Sequence, residues 1–184
     1  MFRLRRCLAL ILLAPAFVWT WGVTAHAEDK TFVSITGIAG ESTDPNHTNW
    51  IDTYALDSGI TVPAAGAVPS FHDVAFLKGT DKATAILHFD AARQRNLGTV
   101  ILEVCRAGTN PQQCYYRVEL SNATVSSLQV SGSSCVGSGG PTSPQTESVS
   151  LKYTQIKWTY TPWTGGTAGT QVVNCWNVAT RQRC

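Results

Sequence analysis

The sequence predicts a mainly β domain with a single helix lying on its side. Three observations lead there. Short runs rich in Val, Thr, Ser and Tyr alternate apolar and polar residues and are separated by Gly, Pro and Asn, the pattern of half-buried strands joined by turns. One segment, 80–96, carries apolar residues at helical spacing instead. The cysteines are spread along the chain and lack the close paired spacing of a zinc site, which suits a disulfide-stapled exported domain.

Residues 1–27 are set apart from that domain. Arg3, Arg5 and Arg6 form a positive start, Cys7 to Val23 is mostly apolar, and Ala25-His26-Ala27 offers a small-x-small cleavage site. This is the order of a secretory signal peptide. The apolar run is broken by Pro15 and is shorter than the roughly 20 residues of a spanning helix, so no membrane association is expected after cleavage. Residues 28–184 then form one domain, long enough for a real core, in the periplasm or the medium. Three of the 14 basic residues and none of the 12 acidic ones lie in 1–27, which leaves 11 basic against 12 acidic and a net charge of −1. No basic surface remains for nucleic acid or anionic lipid.

Strands are expected at 31–37, 50–58, 71–78, 99–106, 114–121, 124–131, 147–160 and 171–178. Alternation is clear where Val100, Leu102 and Val104 oppose Thr99, Ile101 and Glu103, and where Val149, Leu151 and Tyr153 share a face. The length of 147–160 predicts a bend near Thr154. In the helical segment, Ala85, Ile86, Phe89 and Ala92 form a narrow apolar stripe expected to face the β structure. Thr80 or Asp81 can cap its start, and Asn96-Leu97-Gly98 ends it. Gly165-Gly166 marks a hairpin turn. The tract 131–145 is Gly/Ser-rich. The segment 59–70 is apolar and uncharged, with Val62 and Val68 flanked by Pro63 and Pro69. Such a loop is costly to leave in water, so it packs on its own domain or on a neighbour.

Catalytic chemistry finds little support. Glu41 and Asp44 could form a carboxylate pair, but both sit in a polar turn of ordinary chemistry, Asp44-Pro45-Asn46. No nucleophile elbow is present. His72, in phase with Val74 and Phe76, is expected as a satisfied histidine of the barrel wall, and His88 as half-exposed on the helix. Trp50, Trp158, Trp163 and Trp176 could stack on sugar but are expected in the core. No cofactor, metal or catalytic residue is assigned. Among the cysteines, Cys105 and Cys114 flank a short turn containing Gly108, Asn110 and Pro111, so they are expected to bridge a hairpin. Cys135 is expected to pair with Cys175 or with Cys184.

The ordered motifs resemble a known family. Gly37-Ile38-Ala39-Gly40-Glu41-Ser42 followed by Ile51-Asp52 resembles the opening of the Hcp family, the haemolysin-coregulated tube proteins of type VI secretion. "FHDVAFLKGTDKAT", "NATVSSLQVSGS", "ESVSLKYTQIKWTYTP" and "CWNVAT" resemble, in order, the family's later strands and helix start. The resemblance implies an antiparallel β-barrel of two sheets with one flanking helix. It implies that Gly37, Gly40, Glu41, Ser42 and Asp44 are a fold signature. It also implies a hexameric ring in which the loop bearing Gly59, Val62, Pro63, Val68 and Pro69 lies on the neighbouring subunit.

The expected function is therefore that of an exported, non-enzymatic structural protein related to type VI tube subunits. It would be a homo-oligomer, with an effector or a cell-surface molecule as a further partner. The signal peptide and the five cysteines after it depart from a cytoplasmic tube subunit. The alternative is a secreted, disulfide-stabilised binding module that contacts glycan or host protein; a hydrolase comes third.

Overall fold

The computed structural model describes residues 29–132 and 145–184. The signal peptide expected over 1–27, most of the Gly/Ser-rich tract and Cys135 lie outside the described residues. In chain order the elements are β1 (Lys30–Ile35), β2 (Ile51–Asp57), β3 (Ile60–Thr61), β4 (Ser70–Phe71), β5 (Val74–Gly79), α1 (Ala83–Ala92), β6 (Gly98–Arg106), β7 (Gln113–Ser131), β8 (Thr146–Lys152), β9 (Gln155–Tyr160), β10 (Trp163–Thr164), β11 (Thr167–Ala168), β12 (Val172–Asn177) and β13 (Gln182–Arg183).

The main sheet runs β13-β12-β9-β7-β6-β1-β2-β5-β8, and β8 also pairs with β7. That last pairing closes six antiparallel strands into a barrel. Its core follows from alternation held in register. Val33 on β1 stands beside Leu102 on β6 and Val118 on β7, and Ile35 beside Val100 and Leu120. All six are buried, as inward positions of a closed sheet must be.

Closure depends on β7, a single strand of 19 residues where two separate strands are expected. The chain does not turn at Asn122-Ala123. Asn122 takes φ +53°, which asparagine tolerates, and its Nδ2 donates to Thr154 Oγ1 at 2.9 Å. The strand bends there and changes partners. Residues 113–123 pair with β6, and 124–131 with β8. β8 and β9 run in sequence along β7, interrupted at Tyr153-Thr154, where Thr154 N donates to Ser121 O at 3.0 Å. This is the bend that the sequence predicts near Thr154. The Gly165-Gly166 turn likewise joins the small β10–β11 hairpin, both glycines at positive φ.

The helix is rotated from its expected orientation. Ala83, Leu87 and Asp90 are buried, while Ile86 and Phe89 are 40% and 62% exposed, and Ala85 and Ala92 are exposed with them. Ala83, Leu87 and Asp90 share one face at helical spacing, so burying Ala83 and Leu87 carries Asp90 in with them, and its carboxylate is compensated by Arg93 (2.6 Å) and Arg95 (3.0 Å). Asp81 Oδ1 accepts the Ala83 N–H at 2.9 Å and fixes the helix start, as an acidic acceptor at an N-terminus does.

One inward rung is ionic. Along β5 the buried positions are Val74, Phe76 and Lys78, and opposite them on β8 stand Leu151, Val149 and Glu147. Lys78 and Glu147 are fully buried. Lys78 Nζ reaches Glu147 Oε2 at 2.9 Å, Asp81 Oδ1 at 2.8 Å, Gly79 O at 2.7 Å and Thr84 Oγ1 at 3.1 Å. Removing one member leaves an uncompensated buried charge. Lys78→Met is therefore expected to lower stability by about 3–5 kcal/mol, and Lys78→Met with Glu147→Leu to recover most of it; urea unfolding of the three proteins checks both.

Candidate functional site

The loop between β1 and β2 is the most constrained surface feature of the barrel. Gly37 turns the chain at φ +78°, and Ile38 N then donates to Ile35 O at 3.0 Å. Gly40 runs against the far end of the same loop, where a Cβ would stand 2.3 Å from Trp50 O. Only glycine allows that approach. Gly40 N donates to Asn49 O (2.8 Å) and Ser42 N to Trp50 O (2.9 Å), so the two ends are zipped together. Within the loop, Asp44 Oδ1 accepts from Asn46 N at 3.0 Å, an Asx turn, and Ser42 Oγ accepts from Asp44 N at 3.3 Å. Glu41 Oε1 accepts the Lys82 N–H at 3.2 Å, just ahead of α1.

This zipped loop delivers His47 onto the sheet. The ring is buried and stacks on Phe32 of β1, with centroids 4.0 Å apart and planes 3° from parallel. Trp50 packs edge-on to it. Nδ1 lies 3.0 Å from Asp44 Oδ1, and Nε2 lies 2.8 Å from Glu103 Oε2 on β6. Asp44 Oδ2 also accepts from Gln112 Nε2 at 3.0 Å. From Glu103 a ladder of alternating charge crosses the sheet. Arg117 pairs with Glu103 and with Glu119, and Lys157 pairs with Glu119. Register sets these neighbours, since Glu103 stands opposite Arg117 and Glu119 opposite Lys157, the arrangement in which cross-strand charges attract.

The surroundings shift several groups. Burial pushes the Asp44 carboxyl up, but the hydrogen bonds from His47, Asn46 and Gln112 and the charge of His47 outweigh it, and the carboxyl sits below its ordinary value. Glu119 is lowered in the same way, burial being outweighed by Lys157 and Arg117. For Arg117, burial opposes the charge and the two carboxylates more than restore it.

Beside His47 lies a bridge. Cys105 and Cys114 are joined at an S–S distance of 2.04 Å, as register partners on β6 and β7. Cys114 Sγ is 4.0 Å from His47 Nε2, and Trp163 Nε1 donates to Cys114 O at 3.0 Å. The second bridge corrects the expected pairing of Cys135 with Cys175 or Cys184. Cys175 is bonded to Cys184, because the short β12–β13 hairpin brings Trp176 opposite Arg183 and Asn177 opposite Gln182, and so sets the flanking cysteines together.

Other expectations resolve as follows. The segment with Gly59, Val62, Pro63, Val68 and Pro69 forms a separate two-stranded sheet, β3–β4, and Val62 and Val68 are exposed. His72 is exposed and does not line the barrel wall. It precedes β5, its backbone N donates to Gly59 O (2.9 Å), and its Nε2 faces Thr61 Oγ1 at 2.7 Å, so it ties the base of this arm. The four tryptophans are all partly buried. Glu41 accepts from the Lys82 backbone N–H and Asp44 from backbone and side-chain donors, and Asp44 also lines a cavity of about 910 Å³ beside β1 and β2. His47, Glu103 and Gln112 were not singled out from sequence, although Glu103 lies two residues before Cys105, on the same strand.

A family model described as "Type VI secretion system effector, Hcp" matches residues 32–160. No curated protein sequence matches the chain. Among solved structures it is similar to one described as a type six secretion system protein, at 23% identity and TM-score 0.74, covering 85% of this chain and 100% of that one. It is similar to Hcp1 from Salmonella typhimurium at 23% identity and TM-score 0.70, covering 85% and 99%. A type VI secretion system effector from Yersinia pestis follows at 20% identity and TM-score 0.65, covering 80% and 99%.

The loop carries a pH signature. A carboxylate with a lowered pKa stabilises the fold at pH above its unfolded value, and that contribution is lost as pH falls through the lowered one. Stability against urea should therefore decline below about pH 4. Asp44→Asn should be less stable at neutral pH and show a shallower acid decline, measured as urea midpoints across a pH series.

Proposed function

Since the chain belongs to the Hcp family of type VI secretion proteins, we propose that it is a structural, non-enzymatic subunit that self-associates into rings. We propose further that residues 1–27 direct its export, so that residues 28–184 act in the periplasm or the medium. The observation that carries ring formation is the β3–β4 arm. Ile60, Val62 and Val68 are 49%, 60% and 54% exposed on the isolated chain, and no charge lies between Gly59 and Ser70. The arm is anchored at its base, where Phe71 stacks with Trp176 at 6.4 Å. Pro63 and Pro69 limit the entropy lost on docking. A closed ring needs one patch to meet a different patch on the neighbour. Tyr160 and Val172, register partners on β9 and β12, are also exposed and offer further apolar surface.

Export is supported by the signal-peptide sequence pattern of residues 1–27 and by two bridges, which persist in an oxidising compartment. A non-enzymatic role is supported by the engagement of the loop carboxylates in hydrogen bonds. The binding-module alternative draws on tryptophans, and these are partly buried, with Trp163 donating to Cys114 O and Trp176 stacked on Phe71 at the arm's base.

Sedimentation across a concentration range tests assembly. The wild type is expected to form a hexamer at high concentration under oxidising and reducing conditions. Val62→Asp with Val68→Asp should weaken association at least about a hundredfold, because each buried valine contributes about 1.5–3 kcal/mol and 1.4 kcal/mol is tenfold. At concentrations where both proteins are monomeric, its thermal midpoint should be unchanged. A wild type that stays monomeric throughout would remove the ring. A mature N-terminus at Glu28, read from the exported protein, tests the signal.

A further inference from the structure

We infer that reduction of the Cys105–Cys114 bridge converts this corner of the protein into a tetrahedral zinc site. Its ligands are His47 Nε2, Glu103 Oε2 and the two thiolates. The four donor groups already lie within 4.8 Å of one another. His47 Nε2 is 2.8 Å from Glu103 Oε2 and 4.0 Å from Cys114 Sγ. Zinc with bonds of about 2.0–2.3 Å to nitrogen, oxygen and sulfur sets its tetrahedral ligands about 3.3–3.8 Å apart. The observed cluster brackets that spacing. Once the S–S bond is cut, side-chain rotation alone can open the sulfurs to it while β6 and β7 stay paired.

The surroundings match those of a metal site beyond the donors themselves. Asp44 Oδ1 faces His47 Nδ1 at 3.0 Å, so an Nδ1–H donated to it leaves Nε2 for the metal, the carboxylate–histidine–metal arrangement. Asp44 is itself held by Gln112 and Asn46. Glu103 uses its other oxygen, Oε1, on Arg117, whose charge offsets part of the negative excess of two thiolates and a carboxylate around one zinc. Cys105 and His47 are buried. Four protein ligands in a closed position make a structural site and leave no place for substrate. Bridge and metal exclude each other, so the β6–β7 hairpin is clipped by a disulfide under oxidation and by zinc under reduction. The inference does not depend on ring formation.

The redox step balances with a phosphine as reductant. The S–S bond breaks, phosphorus supplies two electrons and takes the oxygen of a water as phosphine oxide, and the two protons of that water end on the sulfurs. Zinc then displaces both thiol protons into solvent.

The test uses cobalt(II) as a spectroscopic stand-in for zinc, titrated into the phosphine-reduced and the oxidised protein. The reduced protein is expected to bind one equivalent at this site with thiolate charge-transfer bands and tetrahedral d–d bands, which zinc bleaches. The oxidised protein shows none. Cys175→Ser with Cys184→Ser should keep the bands, and Cys105→Ser with Cys114→Ser should lose them. Asp44→Asn should weaken binding about 10–100-fold with the bands retained, the usual effect of an outer partner. His47→Ala should weaken it more. If reduction unfolds the chain, added zinc should refold it. Absence of cobalt bands in reduced, folded protein would overturn the inference. So would bands that survive Cys105→Ser with Cys114→Ser, unchanged binding in His47→Ala, or failure of zinc to refold an unfolded reduced chain.

Discussion

The buried Lys78–Glu147 rung is the constraint on which the arrangement of the barrel turns. An ammonium has three protons to donate, and Lys78 finds acceptors on β8, on its own strand's end and on the residues that open α1. One group thus fixes three relationships. It sets β5 against β8, because a slip of one residue would turn the shifted strand's charged side chain out of the interior and leave its partner buried and unpaired. It holds Asp81, which in turn receives the first helical N–H. A buried charge adds little net stability over an apolar pair of the same shape, yet it strongly penalises any register that leaves it unpaired. Glu147 Oε1 has no partner among the described residues, which adds to the cost of this rung and to its selectivity.

The zipped loop of 37–50 extends the same logic to the outside of the barrel. Its glycines permit the close backbone approach, its Ser and Asp side chains make the internal turns, and its Glu41 meets the backbone just ahead of the helix. The helix start is therefore held from two sides, by Asp81 from its own chain and by Glu41 from the loop. His47 then joins the loop to β1 by stacking and to β6 by its hydrogen bond with Glu103. A polar segment that looks like an exposed turn is in fact a clasp between helix, sheet and hairpin.

Much of this was legible in the residues. The strands, the lone helix, the bend at Thr154 and the Gly165-Gly166 turn follow from alternation, spacing and turn chemistry. The departures from expectation have separate physical causes. Helical spacing alone puts the inward stripe on Ile86 and Phe89; it carries no sign that Asp90 is buried, although Arg93 and Arg95 lie three and five residues beyond it. Lys78 and Glu147 were each in phase with buried apolar residues of their strands, and that phase was the available signal. Two strands are expected where β7 runs unbroken through Asn122, and nothing local in the sequence shows that its partner changes there. The phase of His72 with Val74 and Phe76 points to the barrel wall, but the chain departs from the sheet before β5. The equal nine-residue separations of Cys105–Cys114 and Cys175–Cys184 were visible in the sequence and point to two similar hairpins.

Those two bridges nevertheless do different work. Each closes a short loop and contributes about 2–3 kcal/mol in the chain-entropy model. The Cys175–Cys184 hairpin lies at the sheet edge, where β13 is two exposed residues long. Few buried contacts oppose its opening, so the bridge carries much of its order. The Cys105–Cys114 hairpin is already held by β6–β7 pairing, by the loop through Asp44 and Gln112, and by the indole of Trp163. Its bridge is less needed for order, and its sulfurs sit beside an imidazole and a carboxylate. Equal spacing in sequence thus ends in unequal chemistry, because the loop that grips the helix also carries His47 to one bridge and not to the other.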